Sequence, residues 1–456
     1  MFSTCVTIQS GNELVSRRHK LRIAYVVQNP SFDLLTESPA IAITVKNVVR
    51  SLQVAGHHVD YYDLRGRCVS CIADMSAPER RLTSRLGFSG TYAFRLVESG
   101  VRRVQRIVKG RYLALFDSLR FYDACMRALS QYDVCHEHNS VLSVGAALAC
   151  KQLNIPYIIT VDADPILELE IQGMPLKGLQ LALAHWEARQ TYRIARRVLC
   201  LSEATRQRLI TYWKVPADKI LVLPLAADID LFGQQYDRDE VRRSLGFGDE
   251  PVVGFVGSFQ MWHGLEDLVE SFVSVRRRFP NSHLLLVGDG PGRAAVEDHA
   301  RRLGVYDSMT ITGRVSYRDI PRYLAAMDVA AAPYRRLGYE MWFSPLKLYE
   351  YMAAGKTIVA TRCGQISEVI QEGITGLLVE PGDISGFAQA VCRAIADPAF
   401  RRKLGINARH QAETKHSWTH LAERLEEVYC GILNATSQTC SKPGIPRRKL
   451  DDAKTV

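Results

Sequence analysis

The chain has 456 residues, of which 47% are hydrophobic and 23% charged, and its formal net charge is +10. This composition is that of a globular protein of two or three domains, and it excludes a disulfide-framed miniprotein, a collagen-like fibre and a wholly disordered chain. No run approaches the roughly 18 apolar residues of a spanning helix, and the start of the chain lacks the apolar centre of a signal peptide. We therefore expect a cytoplasmic protein with a loose extension over residues 1–20.

Eleven cysteines are too few for a disulfide framework in a chain of this length. Cys68 and Cys71 form one CxxC pair, and no second pair or suitably spaced histidines follow closely. We therefore expect two free thiols in a loop and no metal site.

The first half of the chain alternates strands and helices. An apolar run of strand length over residues 21–27 precedes an amphipathic stretch over 43–55, which Gly56 ends. The pattern recurs, with a helix expected at 146–153 and strands at 58–62, 132–136, 157–161, 198–201 and 220–223. We place a first, acceptor-side domain at residues 21–235.

The second half repeats this alternation. Strands are expected at 252–256, 282–287, 309–311, 329–333, 357–360 and 376–379, and helices at 265–279, 294–303, from about 317, and 346–354. Serial βαβ units predict parallel sheets. The predicted fold class is therefore α/β, with two tandem doubly wound, Rossmann-like domains that face a central cleft. The second domain is placed at 236–430, and the polar residues 431–456 are expected to form a disordered tail.

Glycine-bearing turns follow three predicted strands of the second half. They contain Gly257 with Ser258, Gly288 with Gly290, and Gly313. Glycine lets backbone N–H groups approach a phosphate, and three such turns at one sheet edge would line a single pocket. No GxxxxGK[ST] loop is present, and no GxGxxG joins the first strand to its helix. The pattern predicts a nucleotide site of another kind.

A Ser-Pro pair opens the most informative helix. Ser344 and Pro345 precede Leu346, a good helix former, so backbone donors at this N-terminus could hold a diphosphate. Lys347 adds a cation in the first turn, and Glu350 lies three residues later on the same side. A carboxylate there can accept hydrogen bonds from two ribose hydroxyls. A surface Lys–Glu pair on an ordinary helix remains the alternative.

The order of the motifs resembles a known enzyme family. The chain resembles the nucleotide-sugar-dependent glycosyltransferases of GT-B fold, specifically glycosyltransferase family 4 (group 1), in FVGSFQMWHG, LLLVGDGPGR, TGRV, DVAAAPY, SPLKLYEYMAAGKTIVAT and GITGLLVEPGD. The first half resembles it less closely, in AGHHV, YDVCHEH, NIPYIITVDA and VLCLSEA. The resemblance implies a nucleotide diphosphate sugar in the second domain, an acceptor in the first, and transfer with retention and without a metal.

The resemblance also assigns donor-site residues. Glu350 matches the second Glu of the family's Glu-x7-Glu motif, which holds the donor ribose. The first Glu falls at Trp342 here, so Glu340, two residues earlier, is the candidate carboxylate near the transferred sugar. Ser344 and Lys347 resemble contacts to the donor phosphates.

Further donor-side positions depart from the family pattern. His263 stands where the family often has Lys before Gly, and Arg314 is a second candidate cation, with a plain surface arginine as the open alternative. Residues 36–40 carry no glycine where many members have a Gly-Gly turn. These departures predict a divergent member of the family.

Two candidate residues of the first domain follow predicted strands. His138 resembles the family's cleft histidine near the transferred sugar, and a hydrogen-bonded loop histidine is the alternative. Asp162 follows the next strand and could orient an acceptor hydroxyl or act as a general base, or it could cap the helix that follows.

Residues 79–111 concentrate positive charge, with nine Lys and Arg against Glu79 and Glu98, and aromatic and aliphatic residues are interleaved. This pattern suits docking to an anionic membrane surface, on the inner face of the membrane, with a lipid-linked acceptor. A solvated helical face whose apolar side packs on the domain is the alternative. No nucleic-acid motif accompanies the charge.

These observations support a glycosyltransferase that moves a sugar from a nucleotide diphosphate donor to a hydroxyl of a polysaccharide, a lipid-linked acceptor or a small molecule. We expect no cofactor beyond the donor substrate. Two alternatives stay open at this point: a non-catalytic nucleotide-sugar binder or assembly partner, and a sugar-nucleotide epimerase of the same architecture.

Overall fold

The computed structural model describes residues 20–28, 40–76, 80–82, 87–107, 115–171, 173–336, 338 and 344–440, and it contains two sheets. The loose extension expected at 1–20, the residues around 36–40 that lack glycine, and Glu340 with Trp342 fall largely or wholly outside the described residues. Within the described residues, no helix has both the length and the apolar character needed to cross a membrane.

The first sheet has eight strands. They are β1 (Arg22–Val27), β2 (His58–Arg65), β3 (Cys68–Ile72), β4 (Arg80–Leu82), β5 (Val134–His138), β6 (Tyr157–Val161), β7 (Arg197–Cys200) and β8 (Ile220–Val222). Their order is β4-β3-β2-β1-β5-β6-β7-β8, and all neighbours are parallel except β2–β3 and β3–β4. The CxxC cysteines therefore lie on an antiparallel strand near the sheet edge and not in a loop, and neither forms a disulfide bond with a described residue.

Seven helices accompany this sheet in the described residues. They are α1 (Ala40–Val54), α2 (Tyr92–Ile107), α3 (Leu115–Ala128), α4 (Gly145–Leu153), α5 (Pro165–Ile171), α6 (Gly178–Ile194) and α7 (Glu203–Thr211). The central strands are buried on both faces, as expected of a parallel sheet covered by helices, although β5 carries the polar residues His136, Glu137 and His138.

The second sheet has six strands, all parallel. They are β9 (Val252–Val256), β10 (His283–Val287), β11 (Met309–Ile311), β12 (Val329–Ala332), β13 (Thr357–Thr361) and β14 (Leu377–Val379), in the order β11-β10-β9-β12-β13-β14. The helices of this half are α8 (Ile229–Phe232), α9 (Arg238–Ser244), α10 (Leu265–Arg278), α11 (Arg293–Arg302), α12 (Ile320–Ala326), α13 (Leu346–Ala353), α14 (Ile366–Val369), α15 (Ile384–Ala396), α16 (Pro398–Lys415) and α17 (Trp418–Cys440). The expected class of two Rossmann-like domains is confirmed.

The strand orders locate the ligand-binding edges. In the first sheet the order reverses between β1 and β5, and in the second it reverses between β9 and β12. Ligands of doubly wound sheets bind outside the carboxyl ends of strands at such a switch point. His138 ends β5 and Gly257 directly follows β9, so both sheets place a candidate residue at that edge.

The last helix differs from the expectation. Helix α17 continues to Cys440, so residues 431–440 are helical and not a disordered tail, and residues 441–456 lie outside the described residues. It packs on α1 of the first domain, and its Tyr429 is fully buried, with its hydroxyl hydrogen-bonded to Nδ1 of His136 at 2.6 Å. The chain thus returns to its first half after the second sheet is complete.

We expect Tyr429→Ala to lower the free energy of unfolding by about 3–5 kcal/mol, because a fully buried aromatic ring is lost. Tyr429→Phe should cost about 1–3 kcal/mol, since it leaves a nitrogen of buried His136 unpaired. Urea denaturation followed by circular dichroism measures both values. A change below about 0.5 kcal/mol in the alanine variant would contradict the docking of α17.

Candidate functional site

The glycine turns of the second sheet bring backbone into close contact. Gly257 and Gly288 have φ angles of 141° and 140°, which only glycine adopts readily. A Cβ atom on Gly288 would collide with the carbonyl oxygen of Gly257, and one on Gly290 would lie 2.6 Å from the backbone nitrogen of Phe259. The turns after β9 and β10 therefore form one continuous edge. Gly288 also forms a backbone bridge to Gly313, which precedes the exposed Arg314.

Helix α13 starts beside this edge. All eight of its residues are buried, and no side chain caps its N-terminus, where Pro345 is the N-cap residue and Leu346 the first helical residue. The hydroxyl of Ser344 donates to the hydroxyl of Tyr349 at 3.1 Å, so it is turned toward its own helix. The positive end of the helix dipole favours an anion here.

Lys347 is the distinctive group of the site. Its Nζ lies 4.0 Å from the ring centroid of Phe255 and 5.3 Å from that of Tyr334, and it has no hydrogen-bond partner among the described residues. A Cβ on Gly257 would lie 2.8 Å from the same Nζ. Burial lowers the pKa of Lys347 to about 7, and the nearby Glu350 carboxylate opposes this shift. A buried ammonium group without an acceptor is costly, and an anionic ligand would supply the acceptor.

Glu350 lies one turn further along α13. Burial raises the pKa of its carboxyl to about 7, while the Tyr317 hydroxyl and Lys347 act in the opposite direction. Its Oε1 has no hydrogen-bond partner in the described part of the chain. The surface Lys–Glu pair that spacing alone left open is therefore wrong, because both side chains are buried.

His263 does not supply a positive charge. Its Nδ1–H donates a hydrogen bond to the backbone carbonyl of Ser258, and Ser258 itself is exposed. Burial and the nearby Lys347 hold the pKa of His263 well below its usual value, so the ring is neutral at pH 7. It stabilises the turn after β9 and packs on Tyr334.

The first sheet contributes a histidine–carboxylate pair. Nε2 of His138 lies 2.8 Å from Oδ2 of Asp162, and its Nδ1 lies 3.5 Å from the hydroxyl of Tyr25. His138 is buried, whereas the Asp162 side chain is about one-third exposed (31%), with Oδ1 unpartnered among the described residues. Since a carboxylate only accepts, Nε2 of His138 carries the proton of this hydrogen bond.

The neighbours of His138 on β5 have other environments. His136 is held between Tyr429 and Thr160, and burial together with His138 lowers its pKa to about 3. Burial raises the pKa of Glu137 to about 7, although it accepts hydrogen bonds from Gln28 and Tyr157. The sequence predicted this strand at 132–136. In the structure it spans Val134–His138, so His138 is its last residue.

The sequence did not single out a link between the domains. The hydroxyl of Tyr349 donates to Oε1 of Gln365 at 2.7 Å, and the amide of Gln365 donates to the carbonyl of Leu201, directly after β7. Ser344 is thereby connected to the first sheet. The residues of this hydrogen-bonded link lie far apart along the chain. The only sequence signal for it is the alternation of strands and helices.

The candidate residues thus form two groups. Lys347 contacts the Gly257 turn, and His138 contacts Asp162; between the two groups the described residues show no hydrogen bond or ion pair. In the same described ranges, no cluster of three His, Cys, Asp or Glu could hold a metal ion.

Two family models match the chain. The model described as Glycosyltransferase Family 4 matches residues 41–231, and the model described as Glycosyl transferases group 1 matches residues 250–397. The boundary between the two matches falls in the segment that joins the two sheets.

Curated relatives are 25–30% identical to the chain over the aligned segments. An alpha-D-kanosaminyltransferase of Streptomyces kanamyceticus is 28% identical over 287 residues, which cover 62% of this chain and 72% of that enzyme. A GDP-mannose-dependent alpha-(1-6)-phosphatidylinositol monomannoside mannosyltransferase of Mycolicibacterium smegmatis is 30% identical over 51% of this chain and 62% of that enzyme.

Solved structures share the fold. Sucrose-phosphate synthase from Thermosynechococcus elongatus superposes with a TM-score of 0.66 and 20% identity, over 91% of this chain and 100% of that chain. The Anabaena protein HepE, solved in complex with UDP-glucose, superposes with a TM-score of 0.63 and 18% identity, over 90% of this chain and 100% of that chain. At 18–20% identity, this similarity shows a shared fold only.

Proposed function

This chain belongs to the family 4 glycosyltransferases of GT-B fold, and we propose that it transfers a sugar from a nucleoside diphosphate held at the second sheet to an acceptor hydroxyl held at the first. The observation that carries the proposal is the unpartnered ammonium of Lys347 beside the Gly257 turn. Together with the N-terminus of α13, it presents positive charge where a diphosphate leaving group accumulates negative charge.

The ribose is assigned to Glu350, whose unpartnered Oε1 lies one helical turn from Lys347. An ionised carboxylate accepts hydrogen bonds from two adjacent hydroxyls whatever base the nucleotide carries. Glu340, which lies outside the described residues, is kept as the candidate carboxylate for the transferred sugar. On the acceptor side, Asp162 orients the attacking hydroxyl through its partly exposed carboxylate.

A thermal-shift panel with UDP, GDP, ADP, CDP and dTDP, each with and without its sugars, tests the donor site. A ligand at about 100 times its dissociation constant stabilises the folded state by about 2.7 kcal/mol. We expect a selective rise in melting temperature with one base. The absence of a shift with every nucleotide, in folded protein, would overturn the assignment of Lys347 and Glu350.

We also propose that transfer proceeds with retention, as the resemblance to family 4 implies, and without a divalent metal. Lys347 and the helix N-terminus supply the positive charge that a metal would otherwise bring to the diphosphate. Proton NMR of the product reads the anomeric configuration.

We expect turnover to change less than twofold when EDTA is added to remove divalent metal ions from the protein and donor. The physical reason is that Lys347, a cation of the protein, contacts the leaving diphosphate in place of a metal ion. Readdition of Mg²⁺ and Mn²⁺ is the control, and a tenfold activation by either ion would contradict the proposal.

The acceptor, we propose, is presented at an anionic membrane surface on its inner face. Helix α2 supports this: it exposes the aliphatic side chains Leu96, Val104 and Ile107, with Arg103 and Arg106 also exposed. Its inward side is held instead by a buried ion pair between Glu98 and Arg120. Phe94 of this helix packs on Phe116 of α3, while the three aliphatic side chains face solvent.

Removing the arginine charges in Arg103→Ser with Arg106→Ser should weaken binding to phosphatidylglycerol-containing vesicles about 30-fold, since each basic residue near such a surface contributes about 1 kcal/mol. Vesicle co-sedimentation measures the partition coefficient. Arg402→Ser with Lys403→Ser on α16 removes two exposed positive charges of the second domain and serves as the control. Equal binding of all variants would contradict the docking of α2.

A further inference from the structure

A groove of about 770 Å³ lies on the outer side of the first domain, between α3, α4 and α6. Its volume is within the range of ~300–1,000 Å³ typical of small-molecule sites. Strand β5 separates it from the cleft: His138 and Glu137 alternate on the strand and point to opposite faces of the sheet. Glu137 lies near enough to Glu187 of the groove for their charges to interact. The groove is therefore a separate site.

Most of the lining is apolar. Leu115 and Leu119 contribute from α3, Leu148 from α4 and Trp186 from α6. Leu115 and Trp186 are also open to solvent, with 40% and 48% of their surfaces exposed. A large exposed tryptophan beside an apolar recess is typical of a surface that a ligand covers.

One acid interrupts the apolar lining. Glu187 is 1% exposed, and neither of its carboxyl oxygens has a hydrogen-bond partner among the described residues. A buried carboxyl with both oxygens unpaired carries a large desolvation cost, and native structures rarely leave such a group unsatisfied. A ligand with hydrogen-bond donors would satisfy it, whereas a pure hydrocarbon would not.

We propose that this groove binds one hydrocarbon chain of a membrane lipid, with hydroxyl groups at its polar end donating hydrogen bonds to Glu187. The lining matches the chain, and the unpaired acid matches the hydroxyls. Helix α3 connects the groove to the surface assigned to the membrane: Phe116 of α3 packs on Phe94 of α2 at 5.6 Å, while Leu115 and Leu119 of α3 line the groove.

Titration of the full-length protein with monomeric dodecyl maltoside, followed by tryptophan fluorescence, tests the proposal. We expect a saturable change that Trp186→Phe abolishes. Maltose, which has no chain, should give no change. Dodecylphosphocholine has the same chain without hydroxyl donors, and we expect it to bind at least tenfold more weakly.

Two groove variants and one control complete the test. Glu187→Leu should weaken maltoside binding at least tenfold and make the two detergents equivalent, and Leu148→Trp should block both by filling the groove. Leu179→Ser, on the exposed side of α6, should bind as the unchanged protein does. Saturable binding that survives both groove variants would overturn the proposal. The nucleotide thermal shift, measured in every variant, reports folding and the donor site independently.

Discussion

Lys347→Met is expected to lower kcat/KM for the donor by about 10²–10³-fold, the effect of removing one preorganised group that stabilises developing charge. The same substitution should leave the melting temperature unchanged or raise it, because it removes a buried ammonium group that no described residue satisfies. A loss of donor turnover without a loss of stability distinguishes a ligand-binding lysine from a structural one. Steady-state kinetics and thermal denaturation measure the two effects.

Lys356 provides the matched control. It lies three residues beyond the end of α13 and is half-buried, and desolvation lowers its pKa to about 8. Its Nζ donates to the carbonyl of Met327 at 3.1 Å. Lys356→Met should therefore lower the melting temperature and leave donor affinity within about twofold. If both lysine variants lose stability and activity in parallel, the assignment of Lys347 to the diphosphate is wrong.

The pH dependence supplies a second readout of the same group. The donor anion favours the protonated form of Lys347, whose pKa in the free protein is about 7, so affinity should fall as pH rises above 7. Glu350 has its pKa raised to about 7 and binds ribose as the carboxylate, so affinity should also fall toward acid pH. We expect a maximum near pH 7, with Lys347→Met losing the alkaline limb and Glu350→Gln losing the acid limb.

The residues of α13 show what local sequence patterns can establish. Ser344 and Pro345 marked its start correctly, and the motif order predicted a donor-site role for Lys347 and Glu350. Spacing could not show that both side chains are buried. All eight residues of this helix are buried, so no polar face marks an exposed side, and the elements that cover the helix come from distant parts of the chain. Their shifted pKa values and unpartnered atoms follow only from that burial.

Long-range packing also explains the other differences. The polar composition after residue 430 predicted disorder, yet docking on α1 supports a helix to Cys440 that composition alone does not favour. Helix α2 exposes several apolar residues, and on its inward side Glu98 pairs with Arg120 of α3, a contact between separate helices. The alternation of strands and helices, by contrast, is local and predicted both sheets apart from the short β3 and β4.

His138→Ala is expected to lower kcat by about 10²–10³-fold while the donor dissociation constant changes less than twofold, because the ring lies at the switch point of the first sheet and not at the nucleotide. Asp162 fixes the Nε2 proton of His138, so Asp162→Asn should lower kcat about tenfold by disturbing that tautomer.

His136, two residues earlier on the same strand, is the matched control. It faces the same side as His138, but Tyr429 and Thr160 occupy its two ring nitrogens, so it has no free position for a substrate. We expect His136→Gln to lower the melting temperature by several degrees and to keep kcat within about threefold. Rapid-quench kinetics with saturating donor separates the chemical step from binding. If His138→Ala keeps full kcat, or if its donor affinity falls in step with kcat, the cleft role of His138 is refuted and the pair with Asp162 is structural.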